Sequence, residues 1–223
     1  MSGLEDGPSL TREEAAWSSH ALLIGVDEVG RGPLAGPVVA AAVAFPSGID
    51  AIPGVRDSKT LSARQRADLE PRIRGMALAV AVAAASVREI DRLNIRRATA
   101  LAMRRALARA LAQPVFGKRS RQGQGAGYRV LVDGLPMPEC GFTHEALVDG
   151  DALCYSIAAA GIIAKEVRDR LMRRLALRYP SYGWESNAGY GTVHHCEAIT
   201  LHGPTPHHRK SFAPIRSLLN PLG

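Results

Sequence analysis

Short apolar runs that end at acidic residues constrain the fold of this 223-residue chain more than any other feature of its sequence. The run Leu-Leu-Ile-Gly-Val ends at Asp27 and Glu28, and the run Val-Leu-Val ends at Asp133. Asp151 follows Ala-Leu-Val-Asp-Gly and opens a helical segment. Runs of this length and composition are typical of buried strands. A carboxylate at the end of a buried strand is costly unless a cation or hydrogen bonds compensate its charge, so these acids are candidates for a functional site.

Strands and helices alternate along most of the chain. We predict strands over residues 21–26, 38–45, 78–87, 128–132 and 146–148, although periodicity alone also allows a helix over 78–87. We predict helices over residues 61–76, 89–112, 152–178, 193–201 and 213–219. This order favours an α/β domain with a mixed sheet.

The chain is expected to form one domain after a short leader. Residues 1–20 carry no apolar period, so we expect them to be a flexible leader, with the ordered domain covering residues 21–223. The residues from about 180 to 223 are expected to pack on this domain as a C-terminal cap. We find no internal repeat and no linker that would divide the domain.

The charge balance indicates a polyanionic partner. The formal net charge is +7, and it is +10 when the acidic first 20 residues are left out. The segment from Arg96 to Arg129 contains nine basic residues and no acidic one. Nucleic acid binding and a solvated, arginine-rich helix face both account for this segment, and composition does not separate them.

Several classes of protein are excluded by composition. Three cysteines are too few for a disulfide framework or a cysteine zinc site, and they favour a reducing compartment. The apolar segments are shorter than the ~18 residues that a membrane-spanning helix needs, and the first 20 residues do not resemble a secretory signal. We therefore expect a cytoplasmic protein without a membrane partner.

The acidic residues together indicate a metal site. Each of them alone could be a helix cap or a turn residue. In a basic chain, the set is better explained as a site for a hard cation, because carboxylate oxygens suit Mg²⁺ or Mn²⁺.

The segment that follows the first acidic pair, Gly30-Arg31-Gly32, is predicted to contact a ligand. Pro33 and a strand-like stretch follow it, so no helix begins there, and this disfavours a dinucleotide-binding loop. Glycines let the main chain approach a ligand closely, and Arg31 between them suits a phosphate. A tight turn between two strands would explain the glycines but not the neighbouring acids.

Seven segments of the sequence form a recognisable series. They are GVDEVGRGP (25–33), DSK (57–59), LVDG (131–134), GD (150–151), IIAKEVRDR (162–170), GYGT (189–192) and RKSF (209–212). In this order they closely resemble the motifs of the type 2 ribonuclease H family, also called ribonuclease HII. The resemblance extends over residues 21–216.

The resemblance implies a fold and an activity. The fold would be a ribonuclease H-like mixed β-sheet flanked by helices, with a helical C-terminal extension. The activity would be that of a divalent-metal-dependent endonuclease that hydrolyses the RNA strand of RNA/DNA hybrids. It would also cut at ribonucleotides embedded in duplex DNA, leaving 3′-hydroxyl and 5′-phosphate ends.

The resemblance also implies roles for individual residues. Those matching the catalytic and metal-binding set, for Mg²⁺ or Mn²⁺, are Asp27, Glu28, Asp133 and Asp151. Those matching the sensor of the ribose 2′-hydroxyl, the group that distinguishes RNA from DNA, are Gly30, Arg31, Gly32 and Tyr190. Further substrate contacts are predicted at Ser58, Lys59, Lys165 and Arg209. Lys165 could equally form an ion pair with Asp169, four residues later.

Three positions near the expected site depart from the family pattern. Leu135 stands where asparagine is common, and Asp149 and Ala188 stand where lysine is usual. The loss of two positive residues bears on substrate affinity more than on catalysis. Asp149 could also compete with Asp151 for the fourth acidic position, which we assign to Asp151 because its Gly-Asp context matches.

Two other functions remain open at this stage. A type 3 ribonuclease H would share the fold. Members of that family carry an N-terminal substrate-binding domain, however, and the ~20 residues before the first predicted strand leave no room for one. The Gly-Arg-Gly segment also favours type 2. A basic RNA- or hybrid-binding module, whose acids only cap helices, is the non-enzymatic alternative. Recruitment by a sliding clamp is not decided by the sequence, and we expect a monomer.

Overall fold

A five-stranded mixed sheet forms the centre of the computed structural model, which describes residues 7–121 and 127–219. The strands are β1 (Leu22–Val29), β2 (Val38–Ala44), β3 (Ala79–Ala85), β4 (Tyr128–Asp133) and β5 (Glu145–Leu147). Their order across the sheet is β3-β2-β1-β4-β5. Strands β1, β2 and β3 pair antiparallel, whereas β4 is parallel to β1 and β5 is parallel to β4. The predicted mixed sheet is confirmed.

Helices cover both faces of the sheet and form the C-terminal part of the chain. They are α1 (Thr11–Ser18), α2 (Ala63–Met76), α3 (Val87–Leu93), α4 (Ile95–Leu111), α5 (Pro114–Arg121), α6 (Gly150–Leu153), α7 (Tyr155–Arg178), α8 (Trp184–Asn187), α9 (Val193–His202) and α10 (Ala213–Leu219). Short 3-10 turns lie at Pro138–Cys140 and Pro180–Tyr182. Among the residues described, no helix is both long and apolar enough to cross a membrane.

The central strand β2 shows why the sheet needs helices on both faces. All seven of its residues are buried, which is typical of a strand covered on two sides. Ala40 and Ala42 belong to the core under α4, whereas Val39 and Val43 belong to the core under α2 and α7. Alternate side chains of a strand point to opposite faces, so one apolar run supplies both cores.

The predicted helix over 89–112 is wrong in its boundaries, because two helices occupy this stretch. Asn94 has a φ of +68° and separates α3 from α4. Its side-chain oxygen accepts a hydrogen bond from the Arg97 amide and so caps α4. Ser86 and Glu89 form a capping box at the start of α3. The amphipathic period continues across the break, so the sequence pattern did not reveal it.

The predicted helix over 152–178 is also divided, because Cys154 has extended backbone angles between α6 and α7. In contrast, the predicted helix over 61–76 is one helix, α2, and Ser62 caps it through a capping box with Gln65.

The expectation of a flexible leader is wrong for Thr11–Ser18, which form α1, while residues 1–6 lie outside the described residues. Ala16 of α1 is fully buried. The Glu13 carboxylate is also buried, and it accepts hydrogen bonds from the Ser156 amide at 2.7 Å and the Cys154 thiol at 3.3 Å. These donors lie at the first turn of α7, so Glu13 caps a helix that begins 142 positions later in the chain. Such a contact is not visible in the local sequence.

Candidate active site

The predicted acids meet at one edge of the sheet because β1 and β4 run parallel. The register pairs Val26 with Val132, so the residues that follow them, Asp27 and Asp133, lie side by side. Strand β5 ends beside Asp133, and α6 begins three residues later with Asp151 in its first turn.

A cavity of about 230 Å³ opens at this edge. It is lined by most of the predicted site residues, namely Asp27, Glu28, Gly30, Arg31, Gly32, Ser58, Lys59, Asp133, Lys165 and Tyr190. Asp151 lies beside it, with its Oδ2 atom 3.5 Å from Lys59 Nζ. The structure therefore brings together residues from six separate parts of the sequence.

Asp27 is the most enclosed of the acids. Burial raises its pKa well above the ordinary value, and the charges of Glu28, Asp133 and Asp151 raise it further. Its Oδ1 atom accepts a hydrogen bond from the Glu28 amide at 2.6 Å. Behind it lies Gly161 of α7, where a Cβ atom would stand 2.4 Å from Asp27 Oδ2. The glycine leaves the space that the carboxylate occupies.

Two further acids lie at the strand ends, Glu28 on β1 and Asp133 on β4. Burial raises the pKa of Glu28 to about 7, although Arg31, whose Nη1 donates to Glu28 Oε1 at 3.3 Å, opposes this shift. Asp133 Oδ1 accepts a hydrogen bond from the Gly150 amide at 2.8 Å, which links β4 to the start of α6.

The structure distinguishes Asp151 from Asp149. Burial raises the pKa of Asp151, as do the charges of Asp133 and Asp57. Asp149 is exposed, has a φ of +53°, and is not among the charges that shift the pKa of Asp27. Asp57, whose charge is one of those that raise the pKa of Asp151, is a site residue that sequence reasoning missed. Its only signal was its place in the DSK segment.

The chemistry of this cavity fits a divalent cation. Three carboxylates line it and Asp151 lies beside it; burial and then mutual repulsion raise the pKa of the most buried ones, and a bound cation would offset both effects. In the described part of the chain, no three His, Cys, Asp or Glu side chains form a ready-made metal cluster. Their oxygens instead accept local hydrogen bonds, from Arg31 to Glu28 and from Gly150 to Asp133. The carboxylate oxygens are suitable ligands for the cation, but the side chains have to reorient to bind it.

The predicted sensor residues also lie together. Gly30 has a φ of +101°, and a Cβ atom there would lie 2.2 Å from Arg168 Nε, so only glycine fits. A Cβ atom on Gly32 would lie 3.6 Å from the Tyr190 ring. Tyr190 is 47% exposed, so its phenol faces the cavity and solvent. We call residues 30–32 the glycine loop.

The predicted substrate contact at Arg209 is wrong, because this side chain is fully buried. Its guanidinium donates to the carbonyl oxygens of Gly30, Arg31 and Gly36 at 2.5, 2.8 and 3.0 Å. Arg209 therefore holds the glycine loop from behind. An arginine next to a lysine in the sequence gives no sign of whether it is buried.

Arg168 is a second buried arginine, and sequence reasoning missed its role. Its guanidinium donates to the carbonyl oxygens of Ala35, Pro37 and Ala188 at 2.9 to 3.0 Å. It thus ties the chain after the glycine loop to the segment that carries Tyr190. Burial lowers the pKa of both buried arginines, and no carboxylate among the described residues lies within ion-pair distance of either.

The remaining predicted contacts line the cavity. Lys59 has a side chain that is 76% exposed. Lys165 forms the anticipated ion pair with Asp169 at 2.7 Å, and its side chain also borders the cavity. Ser58 is buried in the cavity wall.

A buried pair of histidines holds the main chain of Tyr190. The amide of Thr205 donates to His208 Nδ1, so the proton of His208 is on Nε2, which lies 3.1 Å from His195 Nε2. His195 Nε2 also accepts from the Trp184 indole, so the His195 proton is on Nδ1 and is donated to the Tyr190 carbonyl at 2.7 Å. Both rings are therefore neutral.

Comparison with known proteins places this geometry in a family. The family model described as Ribonuclease HII matches residues 24–215. A relative named Ribonuclease HII, from Synechococcus sp. (strain JA-3-3Ab), is 50% identical over 214 residues, which cover 95% of this chain and 90% of the relative.

Solved structures share the fold. The crystal structure of the ribonuclease H2 from Pyrococcus horikoshii OT3 matches with a TM-score of 0.69 and 24% identity, covering 88% of this chain and 96% of that one. Bst-RNase HIII in complex with Mn²⁺ matches with a TM-score of 0.68 and 20% identity, covering 91% and 71%. The fold alone therefore does not separate the type 2 and type 3 enzymes, whereas the sequence match does.

Proposed function

Because the chain belongs to the ribonuclease HII family, and is therefore an endoribonuclease that acts on the RNA of RNA/DNA hybrids, we propose that it requires a divalent metal and also cuts at ribonucleotides embedded in duplex DNA. The products would carry 3′-hydroxyl and 5′-phosphate ends. The observation that carries this proposal is one cavity that combines three carboxylates with the glycine loop and Tyr190, and that has a fourth carboxylate, Asp151, beside it.

Asp27, Glu28 and Asp133 would hold Mg²⁺ or Mn²⁺, and Asp151 would complete the site. A bound ion of this kind lowers the pKa of water and neutralises charge that develops on a phosphodiester. The carboxylates supply the negative charge that keeps the ion at the sheet edge. Glu28, with a pKa of about 7, can gain or lose a proton near neutral pH.

The residues around the carboxylates would orient the nucleic acid. Arg31, Lys59 and Lys165 place cationic groups around the cavity, where phosphate oxygens of the substrate would lie. The main chain of the glycine loop and the Tyr190 hydroxyl offer hydrogen bonds to a ribose 2′-hydroxyl. Three buried side chains position these segments without touching the cavity. Each donates hydrogen bonds to main-chain carbonyls of the segments; they are Arg168, Arg209 and His195.

We further propose that residues 21–223 form one catalytic domain together with α1, which packs on them through Ala16 and Glu13, and that the residues from about 180 form its cap. In support, Trp184 and Ile199 of this region pack in one cluster with Met172 of α7 and Leu34 beside the glycine loop. A monomer in the cytoplasm is the proposed working form, and all three cysteines are free thiols, as a reducing compartment favours.

Cleavage of a DNA duplex with a single ribonucleotide tests the proposed function. We expect one cut at the ribonucleotide with Mg²⁺ or Mn²⁺, no cut with EDTA, and no cut of the matched all-DNA duplex. Tyr190→Phe removes one hydroxyl and should lower the rate on the single-ribonucleotide duplex. Cutting restricted to longer RNA tracts would contradict the embedded-ribonucleotide activity. Binding of the duplex without any cleavage in the presence of metal would contradict catalysis.

A further inference from the structure

A basic groove lies outside the cavity described above. It has a volume of about 570 Å³ and is formed by α3 and residues 204–210. Three cationic side chains line it, those of Arg88, Arg92 and Lys210, and all three are exposed. Within the described ranges, none of them takes part in an ion pair or a side-chain hydrogen bond. Arg88 and Arg92 are four residues apart on α3, so both side chains lie on the same face of the helix.

Asp91, the one carboxylate that lines the groove, is occupied in holding its two walls together. Its oxygens accept hydrogen bonds from the Lys210 amide at 3.2 Å, and from the Ser211 amide and hydroxyl at 2.9 and 2.7 Å. These bonds join α3 to the loop before α10. Three cations against one carboxylate leave the groove with a positive surplus.

The groove lies at the same edge of the sheet as the carboxylates. Val29 of β1 pairs with Val39, and the neighbouring Val38 pairs with Ala85, the last residue of β3. Strands are about 4.8 Å apart, so β3 ends about 10 Å from the end of β1, and α3 begins two residues later. The far wall is also connected to the site, because the Arg209 amide donates to the Leu34 carbonyl beside the glycine loop.

We propose that Arg88, Arg92 and Lys210 bind the phosphodiester backbone of the substrate duplex, on one flank of the bond that is cut. This inference rests on the proposed function in that the substrate is a nucleic acid duplex. A duplex carries one negative charge per about 1.7 Å of its axis, so a duplex seated in the cavity and extending along this edge places phosphates at the groove. Guanidinium groups bind phosphate oxygens through paired hydrogen bonds.

The test compares charge removal in the groove with the same charge removal elsewhere. The groove variant is Arg88→Ala with Arg92→Ala, and its conservative counterpart is Arg88→Lys with Arg92→Lys. The matched control is Arg72→Ala with Arg104→Ala, two exposed arginines of α2 and α4 without an ion pair in the described ranges. Binding of a single-ribonucleotide duplex is measured in EDTA over a range of salt concentrations, so that catalysis is not needed.

We expect the groove variant to bind roughly tenfold more weakly at low salt, and its plot of log affinity against log salt to flatten by about 0.9 for each phosphate that the protein no longer neutralises. The lysine variant and the control should keep the wild-type slope. In cleavage assays, the groove variant should raise KM and leave kcat unchanged. An unchanged slope in the groove variant, or equal flattening in the control, would overturn the proposal.

A second comparison locates the binding surface. Duplexes are shortened to a few base pairs on one side of the ribonucleotide or on the other. Wild type and groove variant should bind equally to one of the two shortened duplexes, the one that no longer reaches the groove. A difference of the same size on both would overturn binding on one flank. Failure of wild type to cut, with the salt effect intact, would instead reject the proposed function alone.

Discussion

At the scale of single residues, the site depends on a glycine whose missing side chain makes room for a carboxylate. Gly161 lies in the interior of α7, two turns from its start, where alanine would favour the helix by about 1 kcal/mol. Its missing Cβ is the space that Asp27 occupies. A residue that weakens its own helix thus allows the carboxylate to face the cavity.

The substitution Gly161→Ala should therefore lower activity, although alanine favours a helix more than glycine does. We expect the rate of cleavage to fall on the order of tenfold or more, because the added methyl group displaces the Asp27 carboxylate. The matched control is Gly75→Ala in α2, where a Cβ atom meets nothing within 4 Å. That variant should keep its rate and its melting temperature or raise the latter. Wild-type cleavage by Gly161→Ala would show that the position of Asp27 does not matter.

The two neighbouring aspartates offer a second comparison. Asp151→Asn should lower the rate of the metal-dependent reaction by about 10²-fold or more, because it removes one carboxylate from the charged set. Asp149→Asn should leave the rate near that of wild type, because Asp149 is exposed and asparagine tolerates its left-handed backbone. Single-turnover cleavage measures both. The reverse order of effects would transfer the fourth acidic role to Asp149.

At the scale of secondary-structure elements, α4 explains part of the basic segment. Arg105, Arg109 and Gln113 lie on one row of this helix and its C-terminal extension, and they donate to the carbonyls of Ala84, Val82 and Val80. These carbonyls belong to β3, the edge strand, which would otherwise present unpaired groups. These three side chains therefore stabilise the fold by hydrogen bonds to the edge strand, and this accounts for Arg105 and Arg109 without a nucleic acid.

The break between α3 and α4 predicts an unusual order of stabilities. Asn94 combines a φ of +68° and a ψ of 166°, angles that suit glycine, with a side chain that caps α4. Asn94→Gly loses the cap but accepts the backbone, whereas Asn94→Ala loses both. We expect Asn94→Ala to cost about 2 kcal/mol in the free energy of unfolding, and Asn94→Gly to cost less. Urea denaturation measures the difference, and an equal cost would refute the role of the backbone angles.

The sequence predicted the elements whose patterns are local. Strands β1, β2 and β4 are apolar runs, and the acids at the ends of β1 and β4 mark the site directly. It failed where a distant contact decides the structure. Glu13 acquires its role from the start of α7, and Arg209 acquires its role from carbonyls of the glycine loop. Both look like ordinary surface charges until the fold buries them.

At the scale of the whole molecule, the histidine pair connects the C-terminal cap to the site. Burial lowers the pKa of His208 to about 4 and also lowers that of His195. An unfolded histidine has a pKa of about 6.5, so the unfolded state binds more protons between these values. The neutral ring therefore contributes its full stability above pH of about 6.5, and this stability is lost as the pH falls toward 4.

The pH dependence is tested by comparing wild type with His208→Asn, whose side-chain oxygen can still accept from Thr205. The advantage of wild type in free energy of unfolding should shrink by up to about 3 kcal/mol as the pH falls from about 6.5 to 4. Taking the difference removes the opposite effect of Glu28, whose raised pKa makes the metal-free protein relatively more stable as the pH falls from about 7 to 4.5. A pH-independent difference would contradict a buried neutral His208.

The most direct test of the central claim, that distant carboxylates jointly bind a divalent metal, is calorimetric titration of Mn²⁺ into the metal-free protein at about pH 7, in two buffers with different heats of ionisation. Burial raises the pKa of Glu28 to about 7, so this carboxyl group is partly protonated at this pH, and metal binding displaces protons from it. The account predicts saturable uptake with proton release in wild type and much weaker uptake in Asp27→Asn. Absence of uptake in wild type, or equal uptake and proton release in both proteins, would contradict it.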